Sequence, residues 1–461
     1  MTGRQRTALA VLLTASFTLA VDFSILNVAL PTIGADVGFS LANLQWVATA
    51  FALCAAGFTL LMGRVADVAG RRRMFLVGMV LLGAGSLAGG LATTPAVLLV
   101  ARVAQGLATA IVVPAALALL IGTFAEGAAR DKALGLNGSL MAAGFTTGAV
   151  LGGLLTDLLS WRWAFFINVP IAVAVLVVAP IVLKEDRARD RTRLDVPGAV
   201  LVTLGLLALV LGLTTAAETS WTDPVTVVSL AAAAVLLALF VAVERFVSQP
   251  LVPLSMLTRP TVAWGNIAGF LAFATETSLV FLLTIYLQEV LDYSPLAAGL
   301  SFAVLGIGTV LGGLLGPRII GRFGAKAAIV GGFLVQAAAT IPLVLIGQTG
   351  TSIWLVLVAT FVGGVANLVI IVGFMVTATS DVPASEHGLA TGLTTMSQQV
   401  GITMGTPVMS AVLAASVVAA SAASETEAIL DGVHAAIWVN GGLCLLGSAA
   451  VAAFLRRRVQ G

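Results

Sequence analysis

The chain has 461 residues, of which 59% are hydrophobic and only 10% charged. Soluble domains carry about 25% charged residues, so no water-soluble fold of this size can hide so much apolar surface, and the class is integral membrane protein. The formal net charge of +2 specifies no partner, and nucleic-acid binding is not expected.

Continuous apolar runs lie near 7–30, 44–62, 74–92, 96–121, 134–155 and 163–183, then 197–216 and 225–243, then 261–286, 295–316, 326–347, 352–376, 390–420 and 435–455. Each is about as long as a helix needs to cross the hydrocarbon, roughly 20 residues. A barrel would instead show short alternating strands. The chain is therefore read as all-α with fourteen transmembrane helices. The first run follows Arg4 and Arg6 as a signal peptide would, yet it is too long and reaches Pro31 without a small-x-small cleavage site. It is taken as an uncleaved span. With the N-terminus inside, 21 of the 23 Lys and Arg fall in cytoplasmic segments. Arg162 alone lies outside, and Arg102 lies within a span. Both termini are accordingly expected in the cytoplasm.

The two ends of the chain echo each other. "GRVADVAGRRRMFLVG" (63–78) and "PRIIGRFGAKAAIVGG" (317–332) align with Gly70 over Gly324, and "RVAQGLATAIVV" (102–113) aligns with "TFVGGVANLVII" (360–371). Two six-helix halves suggest a transporter built from repeats, with its site between them. The organisation expected is an N-terminal bundle over 1–183, an inserted two-helix hairpin with cytoplasmic linkers over 184–260, and a C-terminal bundle over 261–461.

Three strongly ionisable side chains fall well inside spans: Asp22, Arg102 and Glu276. Each costs roughly 2.5–3.5 kcal/mol at a helix centre, so it is expected to pair, to face a wet cavity or to move protons. Asp22 sits in "TLAVDFSILNVALP" (18–31) with Thr18 a turn earlier and Asn27 five residues on. This polar stripe is expected to face the central cavity. Asp22 there serves proton or substrate coupling; the competing reading is a fixed ion pair with Arg102. Gln105, one turn beyond Arg102, can share its hydrogen bonds. Glu276 follows Phe273 in the first helix of the second half. An acid among aromatic rings suits a lipophilic cation, and protonating it would release that cation; the plainer alternative is a neutral, packed Glu. Asn137, Gln336 and Asn367 line the cavity or bind helix to helix. Gly144, Gly148 and Gly152 recur every four residues, as close helix packing requires, and could also form a sliding contact between the halves. Trp161 and Trp163 read as interfacial anchors, and Cys54 and Cys444 as buried thiols without disulfide or metal spacing.

Eight motifs in chain order carry a family resemblance. They are "LAVDFSILNVALP", "LQWVATAFAL" (44–53), "GRVADVAGRRRMF" (63–75), "LLVARVAQGLATA" (98–110), "WRWAFFINVP" (161–170), "QPLVPLSML" (249–257), "YSPLAAGL" (293–300) and "GLATGLTTMSQQVG" (388–401). The sequence resembles the major facilitator superfamily, specifically its fourteen-helix drug:proton antiporter family. It departs from the family pattern at Val68, where a basic residue is usual, and at Ala149, where helix 5 of the family usually carries Pro. The resemblance implies the major facilitator fold, proton coupling at Arg102, and a gating loop built on Gly63, Asp67, Gly70 and Arg71. It implies a monomer in a bacterial inner membrane.

No phosphate-binding loop appears, and His387 and His434 stand alone, so neither ATP, a metal, another cofactor nor enzymatic chemistry is expected; the proton gradient is the energy source. The function expected is proton-coupled export of hydrophobic, cationic drugs or antiseptics by alternating access, with small hydrophobic substrates and membrane lipids as partners. The alternatives are a lipid flippase and a dedicated exporter of one natural product on the same fold.

Overall fold

The computed structural model describes the chain except residues 1, 27, 40–43, 45, 125–127, 185–194, 248–249, 251–253, 381, 383–386, 420–423 and 456–461. Asn27 thus lies outside the described residues. In chain order the helices are α1 (Gly3–Ile25), α2 (Leu30–Val37), α3 (Trp46–Ala69), α4 (Arg71–Gly90), α5 (Pro95–Thr123), α6 (Ala128–Leu158), α7 (Trp163–Phe166), α8 (Asn168–Val182), α9 (Val196–Glu218) and α10 (Pro224–Glu244). There follow α11 (Leu254–Leu257), α12 (Pro260–Ile285), α13 (Pro295–Ser301), α14 (Ala303–Phe323), α15 (Ala325–Thr340), α16 (Ile353–Ser380), α17 (His387–Ala419) and α18 (Glu425–Phe454). A π-helical turn, Tyr286–Val290, extends α12.

Among the described residues thirteen helices are long and apolar enough to span a membrane. A fourteenth span is α3, whose parts Trp46–Thr59 and Leu61–Ala69 meet at 54°. At this bend the Thr59 hydroxyl donates to the carbonyl of Ala55 at 2.5 Å, and such back-bonding by a mid-helix threonine bends helices.

The chain divides into two compact units, Met1–Ala208 with Ala232–Leu251, and Leu209–Ala231 with Val252–Gly461. Helices α9 and α10 are shared between them, residues 209–231 going with the second.

The first unit is held by three long seams: α1 on α6, α3 on α5, and α4 on α5. The second repeats them with α12 on α17, α14 on α16, and α15 on α16. The turn glycines repeat too. Gly70 precedes α4 at φ 101° and Gly324 precedes α15 at φ 83°, a conformation that costs glycine little and other residues much.

The α1–α6 seam explains the glycine stripe. A Cβ on Gly144 would lie 2.9 Å from the carbonyl oxygen of Phe17, one on Gly148 would lie 2.7 Å from that of Val21, and one on Gly152 would overlap that of Ile25. These glycines let two helices of the same unit touch backbone to backbone. This corrects the expected sliding contact between halves. In the second unit Gly401 and Gly405 of α17 approach Phe270 and Ala274 of α12 in the same way. Matching Phe17 with Phe270 and Val21 with Ala274 places Asp22 over Thr275.

Candidate functional site

Asp22 lies on α1 and is 1% exposed. Its Oδ1 accepts from Gln105 Nε2 at 2.7 Å and from Asn168 Nδ2 at 2.5 Å; its Oδ2 accepts from Arg102 Nη1 at 3.5 Å. Ser86 Oγ accepts from the same two amides, at 2.9 and 3.3 Å. Four helices, α1, α4, α5 and α8, thus converge on one carboxylate. The expectation that Asp22 faces a cavity is corrected: the polar side chains of three neighbouring helices enclose it, and Thr18 turns its hydroxyl to the carbonyl of Thr14 on its own helix.

Arg102 is held independently of Asp22. Its Nε donates to Val47 O at 2.9 Å, its Nη1 donates to Gln105 Oε1 at 2.9 Å, and its guanidinium lies 4.3 Å from the centre of the Phe51 ring. Both Val47 and Phe51 belong to α3. Arg102 therefore ties α5 to α3 through contacts that do not involve Asp22, whereas its link to α1 is to the carboxylate itself.

Sequence reasoning singled out Asp22, Arg102 and Gln105 but missed Ser86 and Asn168. Asn168 is 1% exposed, and its Oδ1 has no hydrogen-bond partner among the described residues.

The corresponding place in the second unit is polar but uncharged. Thr275 Oγ1 accepts from Gln336 Nε2 at 3.1 Å, and Asn440 Nδ2 donates to Thr275 O and to Ser278 Oγ, both at 2.9 Å. Asn367 Nδ2 donates to Ala272 O at 2.9 Å. Gln336 and Asn367 therefore bind helix to helix. They also border a small gap shared with Glu276, Leu279, Thr360 and Gly364. The gap holds about 10 Å³ of space, room for about one water. Glu276 is 9% exposed, and its carboxylate has no hydrogen-bond or ion-pair partner among the described residues.

Phe273 does not join this gap. It packs edge-on against Phe374, ring centres 6.4 Å apart, so the expected acid-and-aromatic pairing is corrected: leucine and valine side chains, with Gln336, Thr360 and Asn367, line the gap at the acid. Asn137 is buried on α6, and its Oδ1 has no partner among the described residues.

Across the break between α3 and α4, Arg71 pairs with Asp67 at 3.0 Å. Arg64 Nη2 donates to Pro250 O at 2.8 Å, Arg72 Nη2 donates to Pro180 O at 3.0 Å, and Gly63 packs against Pro114. At the opposite end of the unit Trp161 departs from its expected role. It is 2% exposed, and its indole donates to Asp36 at 2.9 Å, while Trp163 is 49% exposed. Arg162 stacks 4.4 Å over Trp161 and donates to the same Asp36 oxygen at 2.5 Å. These bonds hold the Asp36 carboxyl below the usual carboxylate range. Cys54 and Cys444 are buried and free, and no group of metal-ligating residues occurs among the described residues.

The family model for the Major Facilitator Superfamily matches residues 12–406. The chain belongs to the major facilitator superfamily. It is a multi-pass membrane transporter of small molecules, not an enzyme. Among superfamily members, the Cephamycin export protein CmcT of Amycolatopsis lactamdurans is 38% identical, over 88% of this chain and 85% of that protein. The Puromycin resistance protein pur8 of Streptomyces alboniger is 36% identical, over 88% and 81%. The Multidrug resistance protein Stp of Mycobacterium tuberculosis is 33% identical, over 87% and 74%. The crystal structure of the human organic anion transporter MFSD10 (TETRAN) superposes with a TM-score of 0.65 over 98% of this chain and all of that one, at 16% identity. That likeness establishes the shared fold.

Proposed function

We propose that this transporter exports hydrophobic, cationic drug-like compounds from the bacterial cytoplasm across the inner membrane in exchange for protons. The observation that carries the reading is the Asp22 cluster: a carboxylate enclosed among four spans, held by two neutral amides and one guanidinium. Protonating Asp22 removes the charge that joins α1 to Arg102, while the bonds of Arg102 to α3 persist. One proton thereby loosens one helix against a fixed pair. Glu276 supplies the charge that a cationic compound displaces a proton from, with Gln336 and Asn367 beside it. The loop of Gly63, Asp67, Gly70 and Arg71 gates the cycle, and the Gly144, Gly148 and Gly152 seam lets α1 move on α6.

In this reading both termini are cytoplasmic, the chain acts as a monomer, and the hairpin within 184–260 is an insertion between bundles 1–183 and 261–461. No cofactor takes part. The driving force is the proton gradient plus about 2.3 kcal/mol per charge per 100 mV of membrane potential. A second reading, a dedicated exporter of one natural product, is favoured by the relatives named for a single antibiotic.

The test uses inside-out vesicles with an acidic lumen and a fluorescent lipophilic cation. Accumulation that collapses when a protonophore is added supports the proposal. Accumulation that ignores the protonophore contradicts it.

A further inference from the structure

One polar cavity of the first unit plays no part in the scheme above. It lies where α1 begins and where α5 and α8 end. It encloses about 380 Å³, within the range of small-molecule sites. Its walls include Thr2, Arg4, Gln5, Thr123, Val182 and Lys184.

The walls are organised without occupying the cations. Arg4 Nε donates to Val182 O at 3.0 Å and Gln5 Nε2 donates to Thr123 O at 3.3 Å, so the last carbonyls of α8 and α5 are already satisfied. Thr2 caps α1 through its bond from the Gln5 amide at 3.3 Å. The Nη groups of Arg4 and the ammonium of Lys184 have no partner among the described residues. A guanidinium fork fixed at Nε and open at both Nη groups suits phosphate oxygens. The α1 N-terminus adds favourable partial charge for an anion.

A second feature points to a lipid. Val173, Val177 and Ile181 of α8 are 54%, 62% and 71% exposed. At a spacing of four they form one apolar stripe on the outside of the helix, and it ends one residue short of Val182 at the cavity. Three membrane-spanning helices begin or end here together. An acyl chain can lie along the stripe while its phosphate sits between Arg4 and Lys184.

We propose that this cavity is a binding site for the phosphate headgroup of an anionic phospholipid, with Arg4 and Lys184 as its ligands and the Val173–Val177–Ile181 stripe as the bed for an acyl chain. The source of the two charges is local, and the site is separate from both polar clusters.

The test is native mass spectrometry of the detergent-purified full chain with phosphatidylglycerol or phosphatidylcholine added. Wild type should retain phosphatidylglycerol in preference to phosphatidylcholine. Arg4→Gln with Lys184→Gln should weaken that retention roughly thirtyfold, as expected from two basic contacts near a membrane surface. Lys184→Gln alone, which breaks no bond described above, should give a partial loss without a change in melting temperature. Arg318→Gln, on the other unit, should change nothing. Equal retention by the double variant, or an equal loss in Arg318→Gln, would overturn the proposal. So would inorganic phosphate raising the melting temperature of wild type, but not of the double variant, while phosphatidylglycerol does not, because the ligand would then be a free anion.

Discussion

Substituting Gly148 by alanine tests the α1–α6 seam directly. The added methyl would stand 2.7 Å from the carbonyl oxygen of Val21, where ordinary contact begins at 3.4 Å, and closer still to the Ser24 hydroxyl. Ser24 can rotate, but the Val21 carbonyl belongs to the α1 backbone and cannot. Helices α1 and α6 must separate by most of an ångström along a seam that includes Gly144 and Gly152. Overpacking of this kind costs about 1–3 kcal/mol, against about 1 kcal/mol gained from the better helix propensity of alanine. Gly442 on α18 is the control. Nothing lies within 4 Å of its added Cβ, so only the propensity gain remains. A midpoint moves about 2–4 °C per kcal/mol for a unit of 150–250 residues. Gly148→Ala should therefore melt several degrees below wild type, and Gly442→Ala at or slightly above it. A thiol-reactive fluorogenic dye reads both transitions, because the two cysteines are buried and free until the chain unfolds. If Gly148→Ala melts with Gly442→Ala, the backbone contact across this seam is not what the packing argument requires.

Further outcomes follow from the charged sites. Asp22→Asn leaves Arg102 without its countercharge; removing one partner of a buried pair costs about 3–5 kcal/mol, and the remaining bonds of Arg102 to Val47 and Gln105 put the loss at the low end. Adding Arg102→Met should recover most of the melting temperature, and failure to recover would mean that the guanidinium's other contacts dominate. The Asp36 clasp should be pH-dependent. Its carboxyl is held below the ordinary range by Arg162 and Trp161, so the clasp stabilises above the unfolded value and that stability is lost as pH falls through the lower folded value. Melting of wild type minus Asp36→Asn should be positive at neutral pH and vanish in strong acid; a difference that grows in acid refutes the sign. Glu276→Gln should abolish efflux of cationic compounds while sparing neutral ones in a whole-cell accumulation assay.

The spans were legible in the sequence because membrane thickness and charge sorting act on whole segments. The repeat was legible at Gly70 and Gly324, because a positive φ leaves glycine as the economical choice. Asp22, Arg102 and Glu276 stood out because charge in a span is costly. Ser86 and Asn168 did not, since a small polar residue in an apolar run costs little and carries no address. The available signal for Asn168 was its place in "WRWAFFINVP", two residues before Pro170 at the head of α8. Trp161 and Trp163 flank one arginine and look alike in sequence. Only the turn into α7 sends the first inward and the second outward. Phe273 and Glu276 are three residues apart on one helix, yet Phe374 claims the ring and the acid faces a gap that no aromatic ring lines.

The central claim is that Asp22 exchanges protons during export. Its most direct test is proton movement in liposomes that hold purified protein and a trapped pH-sensitive dye, on addition of a lipophilic cation. Wild type should move protons and Asp22→Asn, at a temperature where it remains folded, should not. Equal proton movement by the two proteins, or none by wild type, would contradict the account.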